Sequence, residues 1–132
     1  MSGTKALLDS NAIIYASKGI IDAERMLSLS ETYYISIITF IEIYSFDSLT
    51  EMERSIINEI LDGLDIVEVN AEIAEQAVLY RKNRSKKIKL PDAVILATSK
   101  VMQADLFTAN VRDFQNVDPS VNVCDLEQFR PQ

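Results

Sequence analysis

Apolar segments too short to be helices recur along this chain, with helix-like stretches between most of them, and no other feature restricts its fold as tightly. ALLD (6–9), YYIS (33–36), DIVEV (65–69), DLFTA (105–109) and VNVCD (121–125) read as strands. Between the first four lie SNAIIYA, residues 21–30, ITFIEIYSF, TEMERSIINEILDGL, AEIAEQAVLYRKNR and LPDAVILATSKVMQ, which read as helices. Ser10 is the expected cap of the first, and Ala23, Met26, Leu27 and Leu29 are expected to face inward from the second. Thr50 and Glu53 form a capping box ahead of the stripe Ile56, Ile57, Ile60, Leu61 and Leu64, with Gly63 near its end. Asn70 is placed to cap the next helix, and Pro91 occupies a first helical turn, where its missing N–H costs nothing. NVRDF, residues 110–114, reads as a turn. Parallel neighbours need a crossover between them, so strands alternating with helices predict an α/β fold around a mainly parallel sheet of about five strands. The 132 residues are expected to form a single domain, 1–132.

What is missing narrows the chemistry. The chain has no histidine and one cysteine, Cys124, so Ser-His-Asp and Cys-His catalysis are excluded, as are zinc sites built from His and Cys. A catalytic metal would have to be held by oxygens, which suits Mg²⁺ or Mn²⁺. With three glycines, at positions 3, 19 and 63, neither common Gly-rich phosphate loop can be drawn. The longest uncharged run, Thr32 to Ile41, is far short of the roughly 20 residues that span a bilayer. MSGTKALLDS lacks the pattern of a secretory signal, so a cytoplasmic protein with no membrane association is expected.

Within the fourteen residues from Tyr33 to Phe46, Glu42 is the only formal charge. It stands among Phe40, Ile41 and Ile43 with no Lys or Arg within ten residues on either side. A carboxylate there needs a partner, because burying one unpaired is costly. Its apolar neighbours are expected to hold the helix against the sheet so that the acid points at the rim. Asp9 ends the first strand, Asn110 and Asp113 follow the fourth, and Asp92 opens a helix. In parallel sheets ligands gather at the carboxyl ends of the strands, which would collect these groups on one rim. Taken singly, Asp9 favours a helix cap and Asp92 a complement to the helix dipole. Together the acids would repel one another unless a divalent cation sat among them. The net charge of −7 hides a positive strip, RKNRSKKIK (81–89), which holds six of the thirteen basic residues and runs toward Asp92. Such a strip suits an RNA backbone, and equally a solvated helix end.

LLDSNAIIY, ITFIEIYSF with Glu42, LPDAVILATS and TANVRDF, in that order and spacing, resemble the PIN domain family. Within it the likeness is to the VapC-type ribonuclease toxins of bacterial and archaeal type II toxin–antitoxin modules, and it covers about residues 5–126. The resemblance implies a Rossmann-like, three-layer α/β/α sandwich and Mg²⁺- or Mn²⁺-dependent endonucleolytic hydrolysis of RNA. By position, Asp9 and Asp92 match the principal metal ligands, and Glu42 matches the family's helix acid, a third ligand. Thr108 matches the Thr or Ser of the fourth motif. Asn110 stands where the family often carries an acid, and Asp113, three residues on, is the acid the resemblance leaves. The reading thus has Asp9, Glu42, Asp92 and Asp113 as catalytic residues, and Thr108, Asn110, Arg84, Lys86, Lys87 and Lys89 as RNA contacts. It also implies a homodimer and a cognate antitoxin whose C-terminal segment lies over the active site. Asn110 leaves a second reading open, a weak or inactive PIN-fold binding or regulatory module. A haloacid-dehalogenase-like phosphatase would need an acid where Asn11 stands.

Overall fold

The computed structural model describes residues 4–83 and 85–131; Arg84, one of the expected RNA contacts, lies outside the described residues. Five strands, β1 (Lys5–Leu8), β2 (Thr32–Ser36), β3 (Asp65–Val67), β4 (Asp105–Thr108) and β5 (Val123–Asp125), form one sheet in the order β3-β2-β1-β4-β5. Every pairing is parallel, with Leu7 opposite both Tyr34 and Leu106, and Thr108 opposite Asp125. The helices are α1 (Ser10–Ser17), α2 (Ala23–Met26), α3 (Ile37–Ser45), α4 (Glu51–Asp62), α5 (Ala71–Arg81), α6 (Leu90–Met102) and α7 (Val111–Phe114). A 3₁₀ turn at Leu126–Phe129 follows β5.

Both faces of the sheet are covered, as continuous apolar strands such as ALL require. On one face Ala12, Ile13, Ile57, Leu126 and Phe129 pack against Leu8, Ile35 and Phe107. On the other, Ile73, Ala77 and Tyr80 of α5 join Ala93, Leu96 and Ala97 of α6 over Leu7 and Leu106. The result is the α/β sandwich expected, with a sheet that is wholly rather than mainly parallel. The order reverses at β1: the chain runs outward through β2 and β3, then returns to add β4 and β5 on the other side. The crevice between the ends of β1 and β4 is therefore the topological switch point.

The local signals held where caps were specific. Thr50 and Glu53 form the capping box, and Asn70 Oδ1 accepts from Ile73 N at 2.9 Å. Elsewhere competing hydrogen bonds moved boundaries. The helix of residues 21–30 shrinks to α2, because Tyr33 Oη donates to Met26 O (2.6 Å) and accepts from Ser30 N (2.8 Å). Leu29, past that stop, is exposed rather than inward. α5 ends at Arg81 rather than 84, where Asn83 Oδ1 accepts from Ser85 N and turns the chain. NVRDF tightens from the expected turn into the one-turn helix α7. β3 is an edge strand of three residues in which Asp65 and Ile66 are both exposed and Val67 is half-buried, so burial does not alternate along it.

Candidate active site

At the switch point Asp9, not Ser10, caps α1: Ala12 N donates to its Oδ1 at 3.1 Å. Thr108, buried at the end of β4, donates its hydroxyl to Asp9 Oδ2 at 2.5 Å and accepts from Asn110 N at 3.0 Å. The side chains of two strands 99 residues apart in sequence are thus joined across the crevice. Asp9 is only 5% exposed. Burial raises its pKa to about 6, the charge of Glu42 adds to the rise, and the hydrogen bonds from Thr108 and the α1 backbone hold it back. Thr108 therefore orients an acid; buried with its hydroxyl committed, it has no surface for the RNA contact expected of it.

Ser36, completely buried at the end of β2, caps α3 and directs that helix across the rim. Glu42 is exposed, and Ser10 Oγ donates to its Oε1 at 2.6 Å. Its apolar neighbours divide: Thr39 and Ile43 are buried, whereas Ile41, Tyr44 and Phe46 are open to solvent. So only part of the apolar stretch holds α3 to the sheet, and the isolated charge is tolerated because water reaches it.

Asp92 stands in the first turn of α6, half-buried. Its pKa is raised by burial first, then by the charges of Asp113 and Glu42, against a smaller pull from Lys89. The four predicted acids thus share one electrostatic neighbourhood: Glu42 acts on both Asp9 and Asp92, and Asp113 acts on Asp92. Asp113 is exposed on α7, and Asn110 is exposed where that helix begins. A small cavity of about 90 Å³ is lined by Lys86, Lys87, Ile88, Lys89, Asp92 and Asp113. Beside it, a more open cleft of about 380 Å³ runs along Asn110, Arg112, Asp113 and Asp125. Lys87 and Lys89 are exposed on the approach. Lys86 is not free in the same way, since its Nζ donates to Arg112 O and, at 2.7 Å, to Gln115 O.

The family model of the PIN domain matches residues 6–119, most of the chain and all four acids. The chain belongs to the PIN domain family. Among solved structures, a chain of a toxin–antitoxin complex from Klebsiella pneumoniae is 32% identical over 88% of this chain and 94% of that one, with a TM-score of 0.73. VapBC from Salmonella typhimurium, solved bound to DNA, matches at 21% identity over 94% and 99% of the two chains, with a TM-score of 0.77. A more distant likeness in fold is VapC20 of Mycobacterium tuberculosis, a sarcin–ricin loop cleaving toxin: 12% identity, 81% and 92% covered, TM-score 0.59. A comparison with curated proteins gives no match.

The donor set of this PIN domain can be tested for a cation on charge and geometry. Glu42 raises the cost of ionising Asp9, and Asp113 and Glu42 raise that of ionising Asp92, a tension that a divalent ion relieves. Among the described residues no three His, Cys, Asp or Glu side chains converge closely enough to hold an ion directly. Mg²⁺ keeps several of its waters and is bound through one or two carboxylates, so the all-oxygen chemistry of this donor set fits it. Ser10 and Lys86 are the residues that the sequence reading missed in their observed roles. Ser10 follows Asp9 directly and α1 carries it to the same rim, a signal that its hydroxyl could serve the site rather than the cap.

Proposed function

We propose that this chain is the metal-dependent ribonuclease toxin of a toxin–antitoxin pair, hydrolysing RNA phosphodiester bonds. The reading rests above all on one observation: at the switch point Glu42 acts on both Asp9 and Asp92, and Asp113, which lines a cavity with Asp92, acts on Asp92. Asp9 and Asp92 would hold Mg²⁺ or Mn²⁺, with Glu42 in support. When bound, that ion would neutralise charge on the scissile phosphate and make a water more acidic. The chain's own part is placement. Thr108 fixes one oxygen of Asp9, and Ser10 fixes one oxygen of Glu42. With no histidine in the sequence, the proton of the attacking water goes to a carboxylate; Glu42, exposed and anchored through Oε1, is suited to take it. Lys87 and Lys89, exposed beside Asp92, steer the phosphate backbone toward the acids.

RNA as the substrate draws support from VapC20, which cleaves the sarcin–ricin loop and shares the fold. An antitoxin partner draws support from the Klebsiella pneumoniae complex and from the surface of α3. Ile41, Tyr44 and Phe46, with Met52 of α4, are exposed apolar groups on neighbouring helices. A cleft of about 140 Å³ between α3 and α4, lined by Ile43, Tyr44, Leu49 and Ile57, could receive an apolar side chain. A homodimer would cover further apolar surface, such as Val78 and Leu79 on α5. Incubating the purified chain with RNA in Mg²⁺ and then in excess EDTA tests the enzyme reading. Cleavage should stop with the chelator and return with added Mg²⁺ or Mn²⁺. Cleavage that persists in EDTA contradicts the metal, and no cleavage under any condition favours the binding-module reading.

A further inference from the structure

Lys86 belongs by sequence to the basic strip, yet its geometry differs from that of its neighbours. Lys87 and Lys89 are exposed, while Lys86 is half-buried and spans 26 to 29 residues of sequence to reach two carbonyl oxygens, Arg112 O and Gln115 O. Those carbonyls belong to the end of α7. This helix is only four residues long: Asn110 gives it no side-chain cap, and its ends are tied by Asp113 N to Asn110 O at 3.0 Å and Gln115 N to Val111 O at 2.9 Å. Cations are favoured at helix C-termini because they satisfy orphan carbonyls and complement the dipole. The loop that carries Lys86 is itself anchored. Ile88 is buried in the core against α5 and α6, and Arg81 Nη1 donates to Ile88 O at 2.8 Å. A fixed loop thus grips a short helix.

The helix so gripped carries Asp113, and α6, the next element after the loop, carries Asp92 in its first turn. Lys86, Asp92 and Asp113 line the same cavity of about 90 Å³. We propose that Lys86 is a positioning residue: by holding the end of α7 it fixes Asp113 against Asp92 and so sets the spacing of the acids. This rests on the metal-dependent reading for its consequence, but the tether itself does not. Committed to two carbonyls, the ammonium has little left for a phosphate, so Lys86 drops out of the RNA-steering set.

Amide exchange by mass spectrometry on the full, metal-free chain, beside calorimetric titration with Mn²⁺, tests this. Wild type is compared with Lys86→Ala, Lys86→Arg and Lys87→Ala. Loss of the tether in Lys86→Ala should speed exchange across residues 111–117 by about tenfold, the worth of one such hydrogen bond. Lys86→Arg keeps a donor for both carbonyls and should restore slow exchange; Lys87→Ala should leave it unchanged. Mn²⁺ affinity should fall about tenfold in Lys86→Ala, as when an outer-shell support is removed. Wild-type exchange in Lys86→Ala overturns the tether. Faster exchange with undiminished Mn²⁺ affinity overturns the positioning role. If wild type binds no Mn²⁺ while Lys86→Ala still loosens α7, the tether stands and the metal reading falls.

Discussion

The two rims of the sheet treat their acids in opposite ways. At the amino ends of β4 and β5, Asp118 is surrounded by donors. Tyr80 Oη donates to its Oδ2 at 2.5 Å, Ser120 N and Oγ donate to Oδ1 at 2.9 and 2.6 Å, and Lys100 Nζ stands 3.8 Å away. Partial burial pushes the Asp118 pKa up, but those hydrogen bonds and the lysine together outweigh it and bring the pKa below the ordinary value. At the carboxyl ends, Asp9 and Asp92 are driven the other way by burial and by neighbouring acids. A carboxylate kept for stability is given its donors within the chain. One left in repulsion marks a place where the fold gives up stability and something from outside is expected to restore it.

The largest difference should appear in the pH dependence of the metal-free protein. Asp9 has a folded pKa of about 6 against 3.8 in the open chain, so the folded state holds its proton longer. Stability should therefore fall as pH rises from about 4 to about 6 and stay low above, by on the order of 3 kcal/mol. Asp9→Asn keeps the helix cap and should remove most of that decline in urea melts made across the range, leaving the part that Asp92 contributes. A flat wild-type profile would make the two rims alike.

At the other rim the sign reverses. Asp118, with its folded pKa below the open-chain value, gives stability that is present above the latter and is lost as pH falls through the former. Tyr80→Phe removes one hydrogen bond to a charged group and should cost roughly 1.5–3 kcal/mol at pH 7. A neutral result would place Asp118 among the poorly supported acids after all.

Smaller effects separate the rims further. Glu42→Gln removes the charge that acts on both Asp9 and Asp92, and should raise the metal-free Tm by roughly 1–3 °C. A lowered Tm in differential scanning calorimetry would mean that Glu42 serves the fold. Replacing Lys87 and Lys89 by Ala should flatten the salt dependence of RNA binding by about one unit of log–log slope for each phosphate left without its lysine. An unchanged slope returns that strip to bare solvent.

The strand–helix alternation was legible because buried parallel strands must be continuously apolar, and ALL, YYI and LF are. Asp9 and Asp92 were legible because one follows a strand and the other lies in the first turn of a helix, where a parallel sheet collects them, and Glu42 because it is the lone charge in an apolar run. Hydrogen bonds between distant segments were not. Nothing near Thr108 in sequence announces that its hydroxyl reaches Asp9, and nothing in RKNRSKKIK separates Lys86 from Lys87. α2 stopped early for the same reason, since Tyr33 competes for its last groups from the following strand. The exposed side of α3 was misjudged because apolar residues predict burial without saying whether this chain or another supplies it.

If the acids at the carboxyl rim perform the chemistry and Asp118 only holds the fold, the two should part company in a single assay. Mg²⁺-dependent RNA cleavage by Asp9→Asn and Asp118→Asn, each at a temperature where both are folded, makes that separation. Asp9→Asn should lose at least about a hundredfold in rate while folding at least as stably as wild type, and Asp118→Asn should cut at the wild-type rate. A folded Asp9→Asn protein that cleaves RNA like the wild type would put the chemistry elsewhere on the molecule.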